Sequence, residues 1–130
     1  MTLLDAERTT WTAVCPVAHL TPGRGAAVLV DGEALAVFLL ADGSVRAIGN
    51  IDPCSGASVL SRGLVGHTER EGVTLRYVAS PLRKQRFDLD TGCGLDADAD
   101  AGSWPVRVVD GFVEVGRQAS PWGNGPETAP

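Results

Sequence analysis

The chain has 130 residues with 11 Lys and Arg against 16 Asp and Glu, a net charge of −5. That balance argues against a nucleic-acid or anionic-membrane partner, and no run of about 18 apolar residues offers a transmembrane helix. The length fits one domain, and 16 Gly with 8 Pro favour many short elements joined by tight turns over a few long helices.

Residues 1–10 read as a lead-in. Asp5 and Glu7 lie within it and it has no apolar stretch of the secretory kind, so a cytoplasmic protein is expected. Trp11 to Cys15 is the first predicted strand, and Pro16 to Leu20 has room for one helical turn at most. Ala26–Val30 and Leu35–Leu40 flank Asp31-Gly32, and Val45–Ile48 follows Asp42-Gly43. Val73–Val78 alternates, with Val73, Leu75 and Tyr77 on one face and Thr74 and Arg76 on the other. Val106–Val109 and Phe112–Val115 flank Asp110-Gly111. Asp-Gly between apolar strands signals a hairpin, because both central residues of a type I′ turn need positive φ. Three such turns predict an antiparallel all-β domain over residues 11–116. From Arg117 to Pro130 the chain is rich in Pro and Gly and reads as a disordered tail, with Trp122 an idle aromatic inside it.

Two stretches break the strand rhythm. Asn50 to Gly66 is rich in Gly and Ser, and Ser80 to Gly94 carries Arg83, Lys84 and Arg86. Loops this long in a small β domain are usually functional. Asp96 to Gly102 reads as a flexible acidic connection. The cysteines, Cys15, Cys54 and Cys93, are odd in number and form no CxxC, which predicts free thiols. Cys54, Cys93, His19 and His67 lack metal-ligand spacing, and both histidines read as surface residues. Gly23-Arg24-Gly25 has no strand-then-helix context, so it is not a phosphate loop.

The first long stretch contains Asp52-Pro53-Cys54-Ser55-Gly56-Ala57. The second contains Ser80-Pro81-Leu82-Arg83, then Phe87-Asp88-Leu89-Asp90-Thr91-Gly92. In order and spacing this frame resembles the Rieske pattern. That pattern has Cys-Pro-His-x-Gly-Ala in one loop and Cys-Pro-x-His in the next, and it binds a two-iron cluster through two sulfurs and two imidazoles. The ligands do not match. Asp52 and Ser80 stand at the cysteine positions, and Cys54 and Arg83 at the histidine positions. Arginine cannot ligate iron, so one soft ligand remains where four are needed.

The wider string Ser80-Pro81-Leu82-Arg83-Lys84-Gln85-Arg86-Phe87, with Asn50-Ile51-Asp52-Pro53 and Val59-Leu60-Ser61-Arg62-Gly63, resembles the small subunit of assimilatory NAD(P)H-dependent nitrite reductase. The likeness runs from Trp11 to Val115. One departure is Cys54, where that family has a bulky aromatic. The resemblance implies a Rieske-like antiparallel β-sandwich with a small lobe formed by the two pseudo-cluster loops. It implies a non-catalytic subunit with no cofactor of its own, docked on a large subunit that holds FAD, sirohaem and a four-iron cluster and reduces nitrite to ammonium. The basic residues Arg83, Lys84 and Arg86 become candidates for that docking. Asp52 and Arg83 become a candidate ion pair bridging the two loops, with Ser80 hydrogen-bonded nearby. Two other readings are a stand-alone Rieske relic that binds an unrelated partner, and an electron-transfer ferredoxin, which the lost ligands oppose.

Overall fold

The computed structural model describes residues 9–118. The predicted tail from Ala119 onward, Trp122 included, and most of the lead-in lie outside the described residues. The strands are β1 (Thr9–Pro16), β2 (Gly25–Val30), β3 (Glu33–Leu39), β4 (Val45–Gly49), β5 (Leu64–Arg70), β6 (Val73–Ala79), β7 (Arg86–Asp88), β8 (Ser103–Trp104), β9 (Val106–Val109) and β10 (Phe112–Gln118). A 3₁₀ turn at Val17–His19 takes the place predicted for one helical turn, and a second covers Leu60–Arg62. The strands pair antiparallel into three sheets, ordered β1-β10-β9, β2-β3-β4-β8 and β5-β6-β7.

β3 sets the layering. Its sequence Ala34-Leu35-Ala36-Val37-Phe38 is apolar at every position, as a strand must be when both of its faces are covered. Because successive side chains point to opposite faces, Leu35 and Val37 enter one core while Ala36 and Phe38 enter another. β4 divides the same way, with Val45 and Ala47 in the first core and Ile48 in the second. The first core is closed by Val113 and Val115 of β10, the second by Val78, Phe87 and Leu89. The β2-β3-β4-β8 sheet is therefore a shared wall, with a sandwich on one side and the β5-β6-β7 lobe on the other. Each fully buried Leu, Val or Phe on this wall contributes about 1.5–3 kcal/mol of hydrophobic stabilisation. This is the expected Rieske-like all-β architecture.

The hairpins differ from expectation in two places. Asp31-Gly32 (φ 51° and 80°) and Asp110-Gly111 (52° and 80°) have positive φ at both positions, as a type I′ turn needs. Asp42 does not; only Gly43 is left-handed, and the Asp42 carboxylate instead accepts from Ser44 N at 2.9 Å and Ser44 Oγ at 2.6 Å. The third turn of the Asp-Gly kind is Glu71-Gly72 (φ 54° and 79°), which joins β5 to β6. β5 thus begins at Leu64, inside the stretch that the sequence marks as a loop. β10 continues to Gln118, so Arg117 and Gln118, expected in the disordered tail, instead pair with Thr10 and Thr9 of β1, whose ladder offers them backbone partners.

Candidate functional site

The first pseudo-cluster loop leaves β4 at Asn50, which is buried and fastened at every polar group. Its N–H donates to Ala34 O at 3.0 Å, and its carbonyl accepts from Val59 N and Leu60 N at 3.0 and 2.9 Å. Its Nδ2 donates to Ser58 Oγ at 2.9 Å, and its Oδ1 accepts from Ser61 N at 2.7 Å. Two residues on, Asp52 closes the loop tip. Its N–H donates to Ala57 O at 2.8 Å, and its carbonyl accepts from Gly56 N at 2.7 Å. Asp52 Oδ1 accepts from Cys54 N at 2.8 Å.

Ser80 plays the same part in the second loop. Its N–H donates to Gln85 O at 2.8 Å and its carbonyl accepts from Lys84 N at 2.9 Å. Its hydroxyl accepts from Leu82 N at 3.3 Å and donates to Asp52 Oδ2 at 2.6 Å. Asp52 is 0% exposed and Ser80 1%. The two residues at the cysteine positions therefore each close their own loop through the backbone and then clasp one another through their side chains. A buried hydrogen bond to a carboxylate of this kind contributes about 1–3 kcal/mol, and a partner left unsatisfied costs a similar amount. Lys84 holds φ 62°, a left-handed backbone that non-glycine residues seldom adopt, so that the loop can close on Ser80.

The structure does not bring Asp52 and Arg83 together. Arg83 is exposed, and no hydrogen bond or ion pair joins it to Asp52 among the described residues. Burying a guanidinium beside the carboxylate would cost several kcal/mol of desolvation, and the short serine already fills that space. Arg86 is also not a free cation. Its Nε and NH2 grip Asp96 Oδ2 and Oδ1 at 2.9 and 2.8 Å, and its backbone N–H donates to the same carboxylate at 3.0 Å. Its guanidinium lies 5.3 Å from the centre of the Tyr77 ring. The Arg86 hydrogen bonds are the largest cause holding Asp96 down at about 2. Of the three nominated cations, Arg83 and Lys84 stand exposed and Arg86 is spent on the frame.

The Phe-Asp-Leu-Asp-Thr-Gly run has a structural role. Phe87 and Leu89 enter the second core. Asp88 Oδ1 caps the turn by accepting from Asp90 N at 2.7 Å and Thr91 N at 3.3 Å. Gly92 takes φ 80°, and a Cβ there would lie 2.4 Å from the Gly102 carbonyl oxygen. Cys54 is half-buried against the second core. Cys15, Cys54 and Cys93 are unbridged, and His19 and His67 are exposed.

These residues do not fit a two-iron cluster. The oxygens of Asp52 are engaged by Ser80 and by the loop backbone, Arg83 has no lone pair to offer, and a single thiol remains. Among the described residues no group of three or more His, Cys, Asp and Glu is placed to hold a metal ion. No helix among them is long and apolar enough to cross a membrane.

Comparison with known proteins agrees with the frame. The family described as "Rieske-like [2Fe-2S] domain" matches residues 10–116. The nitrite reductase (NADH) small subunit of Salmonella typhimurium is 41% identical over 107 residues, covering 81% of this chain and 95% of that one. A crystal structure from Mycobacterium tuberculosis, assigned as an NADH-dependent nitrite reductase small subunit, superposes with a TM-score of 0.78 at 47% identity, over 86% of this chain and 98% of that one. The nitrite reductase [NAD(P)H] large subunit of Klebsiella oxytoca is 38% identical over 109 residues, which is 83% of this chain but 11% of that protein.

Proposed function

Since the chain belongs to the Rieske-like family, on the branch of the nitrite reductase small subunits, we propose that it is the small subunit of an NAD(P)H-dependent nitrite reductase and docks on a larger catalytic chain. The observation that carries this reading is the Klebsiella large subunit. A stretch like this chain makes up 11% of that protein, so one organism joins covalently what others keep as a separate subunit. Reduction of nitrite to ammonium takes six electrons, delivered as hydride from NAD(P)H. In this reading FAD, a four-iron cluster and sirohaem in the large subunit carry them, in the cytoplasm where nicotinamide donors are regenerated. This chain adds no redox group; the clasp between Asp52 and Ser80 takes the place where a cluster would join the loops.

The docking face supported best is the tip of the lobe. Leu82 and Ile51 are 52% and 49% exposed there, beside exposed Pro53, Pro81, Arg83 and Lys84. An apolar centre with a polar rim is the usual anatomy of a protein interface. Arg86 serves this face by holding the loop against Asp96. The test is a tagged pull-down from nitrate-grown cells of the native host, with partners identified by mass spectrometry. Recovery of a large flavin- and sirohaem-containing protein is expected. Its absence, with another protein enriched instead, would leave a Rieske-like interaction domain with no part in nitrite reduction.

A further inference from the structure

β5 is an edge strand. Its sheet runs β5-β6-β7, and among the described residues no backbone hydrogen bond outside the β5–β6 ladder involves Leu64–Arg70. An open edge is a template for one more strand, and folded proteins usually blunt it with lysine, proline or a bulge. Here it carries Leu64, 79% exposed, the most exposed large apolar side chain among the described residues.

Two grooves adjoin this strand. One, of about 540 Å³, lies over the β5–β6 hairpin, where Val65, Gly66 and His67 with Thr74 and Arg76 face Pro22. The other, of about 430 Å³, is lined by Leu64 with Arg24 and Arg62, and the two share Gly23. Arg24 and Arg62 are both exposed and have no ion-pair partner among the described residues. By contrast Arg46, Arg76, Arg86 and Arg107 each hold a carboxylate. In a chain of net charge −5, two unpaired arginines in one groove form a local cationic site that a carboxylate would complete. Seven residues of extended strand span roughly 23 Å at about 3.3 Å each, enough for a partner segment to add along the edge. The groove also adjoins the tip: Leu64 pairs with Ala79, the residue before Ser80.

We propose that the free edge of β5 receives an extended acidic segment of the large subunit. The segment adds as a strand, sets its carboxylates against Arg24 and Arg62, and packs an apolar side chain on Leu64. This is strand addition, in which main-chain hydrogen bonds supply affinity and flanking side chains supply specificity. It rests on the subunit reading above and adds to the tip a second contact, of different chemistry.

The experiment uses the full chain and the cofactor-loaded large subunit. Arg24→Glu/Arg62→Glu should weaken binding at least about ten-fold, slow association, and flatten its salt dependence. Its thermal unfolding should match wild type, because both side chains are exposed and unpaired. In the wild-type complex, hydrogen exchange at the Leu64–Arg70 amides should slow, and it should slow as well when Arg83→Glu/Lys84→Glu is driven to saturation. Wild-type affinity in the Arg24→Glu/Arg62→Glu protein, or β5 amides that exchange as fast bound as free, would overturn the proposal while leaving the subunit reading intact. Protection that rises with the concentration of this chain alone would also overturn it, assigning the edge to a second copy. Failure of the wild-type chain to bind the large subunit at all would strike the subunit reading itself.

Discussion

The sandwich and the lobe share one wall and are built on opposite terms. The core between the β1-β10-β9 sheet and the shared wall is made of Leu20, Val30, Leu35, Val37, Val45, Ala47, Val113 and Val115, with no buried polar residue among them. The buried polar residues of the described chain are Asn50, Asp52, Ser80 and Asp88, and each stands in or beside a loop of the lobe. Apolar contacts are non-directional, so the sandwich requires the right pattern and volume. Hydrogen bonds are directional and costly to leave unmade, so the lobe requires particular side chains at particular positions. A domain that lacks the cluster ligands keeps its loops in place by giving the same positions partners for one another.

That contrast can be broken from either side. The largest loss is expected on the shared wall. Phe38 is 0% exposed, and Phe38→Ala should cost about 3–5 kcal/mol in denaturant unfolding, because the cavity opens inside a packed sheet. The lobe should answer with less energy and more coupling. Asp52→Ala should cost about 2–3 kcal/mol by orphaning Ser80 Oγ and Cys54 N. Once it is made, Ser80→Ala should cost little more. A double-mutant cycle should then show about 1–2 kcal/mol of coupling. Additive costs would mean that the two loops are held by packing alone, and the distinction between the halves would collapse.

The same division governs what could be read from the sequence. Asp31-Gly32, Asp110-Gly111 and the two-faced apolar run of β3 state their conformation locally, and the sandwich follows from them. Glu71-Gly72 forms the same turn without the usual aspartate. β5 before it breaks the alternation with Gly66 and His67, so the hairpin is legible only through its pairing with β6. Asp42-Gly43 carries the signal but spends its carboxylate on Ser44 instead of the turn. At the site, the resemblance of Asp52, Pro53, Gly56, Ser80, Pro81 and Phe87 to the Rieske pattern is enough to place both loops. The expected hydrogen bond of Ser80 beside Asp52 is present; that Ser80 alone, without Arg83, makes the bridge is not legible, because the two lie three residues apart and only the backbone closure from Lys84 to Ser80 decides which of them faces Asp52. Asn50, which fastens the first loop at five points, gave no sequence signal beyond its place in a recognised string.

The smallest expected effect concerns Arg86, whose sequence neighbours point to docking and whose contacts point to the frame. Asp96 falls from the usual 3.8 to about 2 on folding, chiefly through its hydrogen bonds with Arg86. A carboxyl depressed in the folded state contributes stability that is complete above the unfolded value and is lost as pH falls through the folded one. The ion pair should therefore weaken between about pH 4 and pH 2, and unfolding midpoints in urea measured from about pH 5 downwards should show it. Asp42 is also held well below the usual carboxyl value, by hydrogen bonds from Ser44 and then Arg76, so its contribution also declines as the medium turns acid. The informative quantity is therefore the difference between wild type and Asp96→Asn, in which Asp42 is common to both. The Asn variant should lose less stability over that window, with a flatter acid limb. Identical limbs would mean that Arg86 is not committed to Asp96 in solution. Its guanidinium would then return to the exposed set with Arg83 and Lys84, and the docking face would gain a third cation at the expense of the frame that holds it.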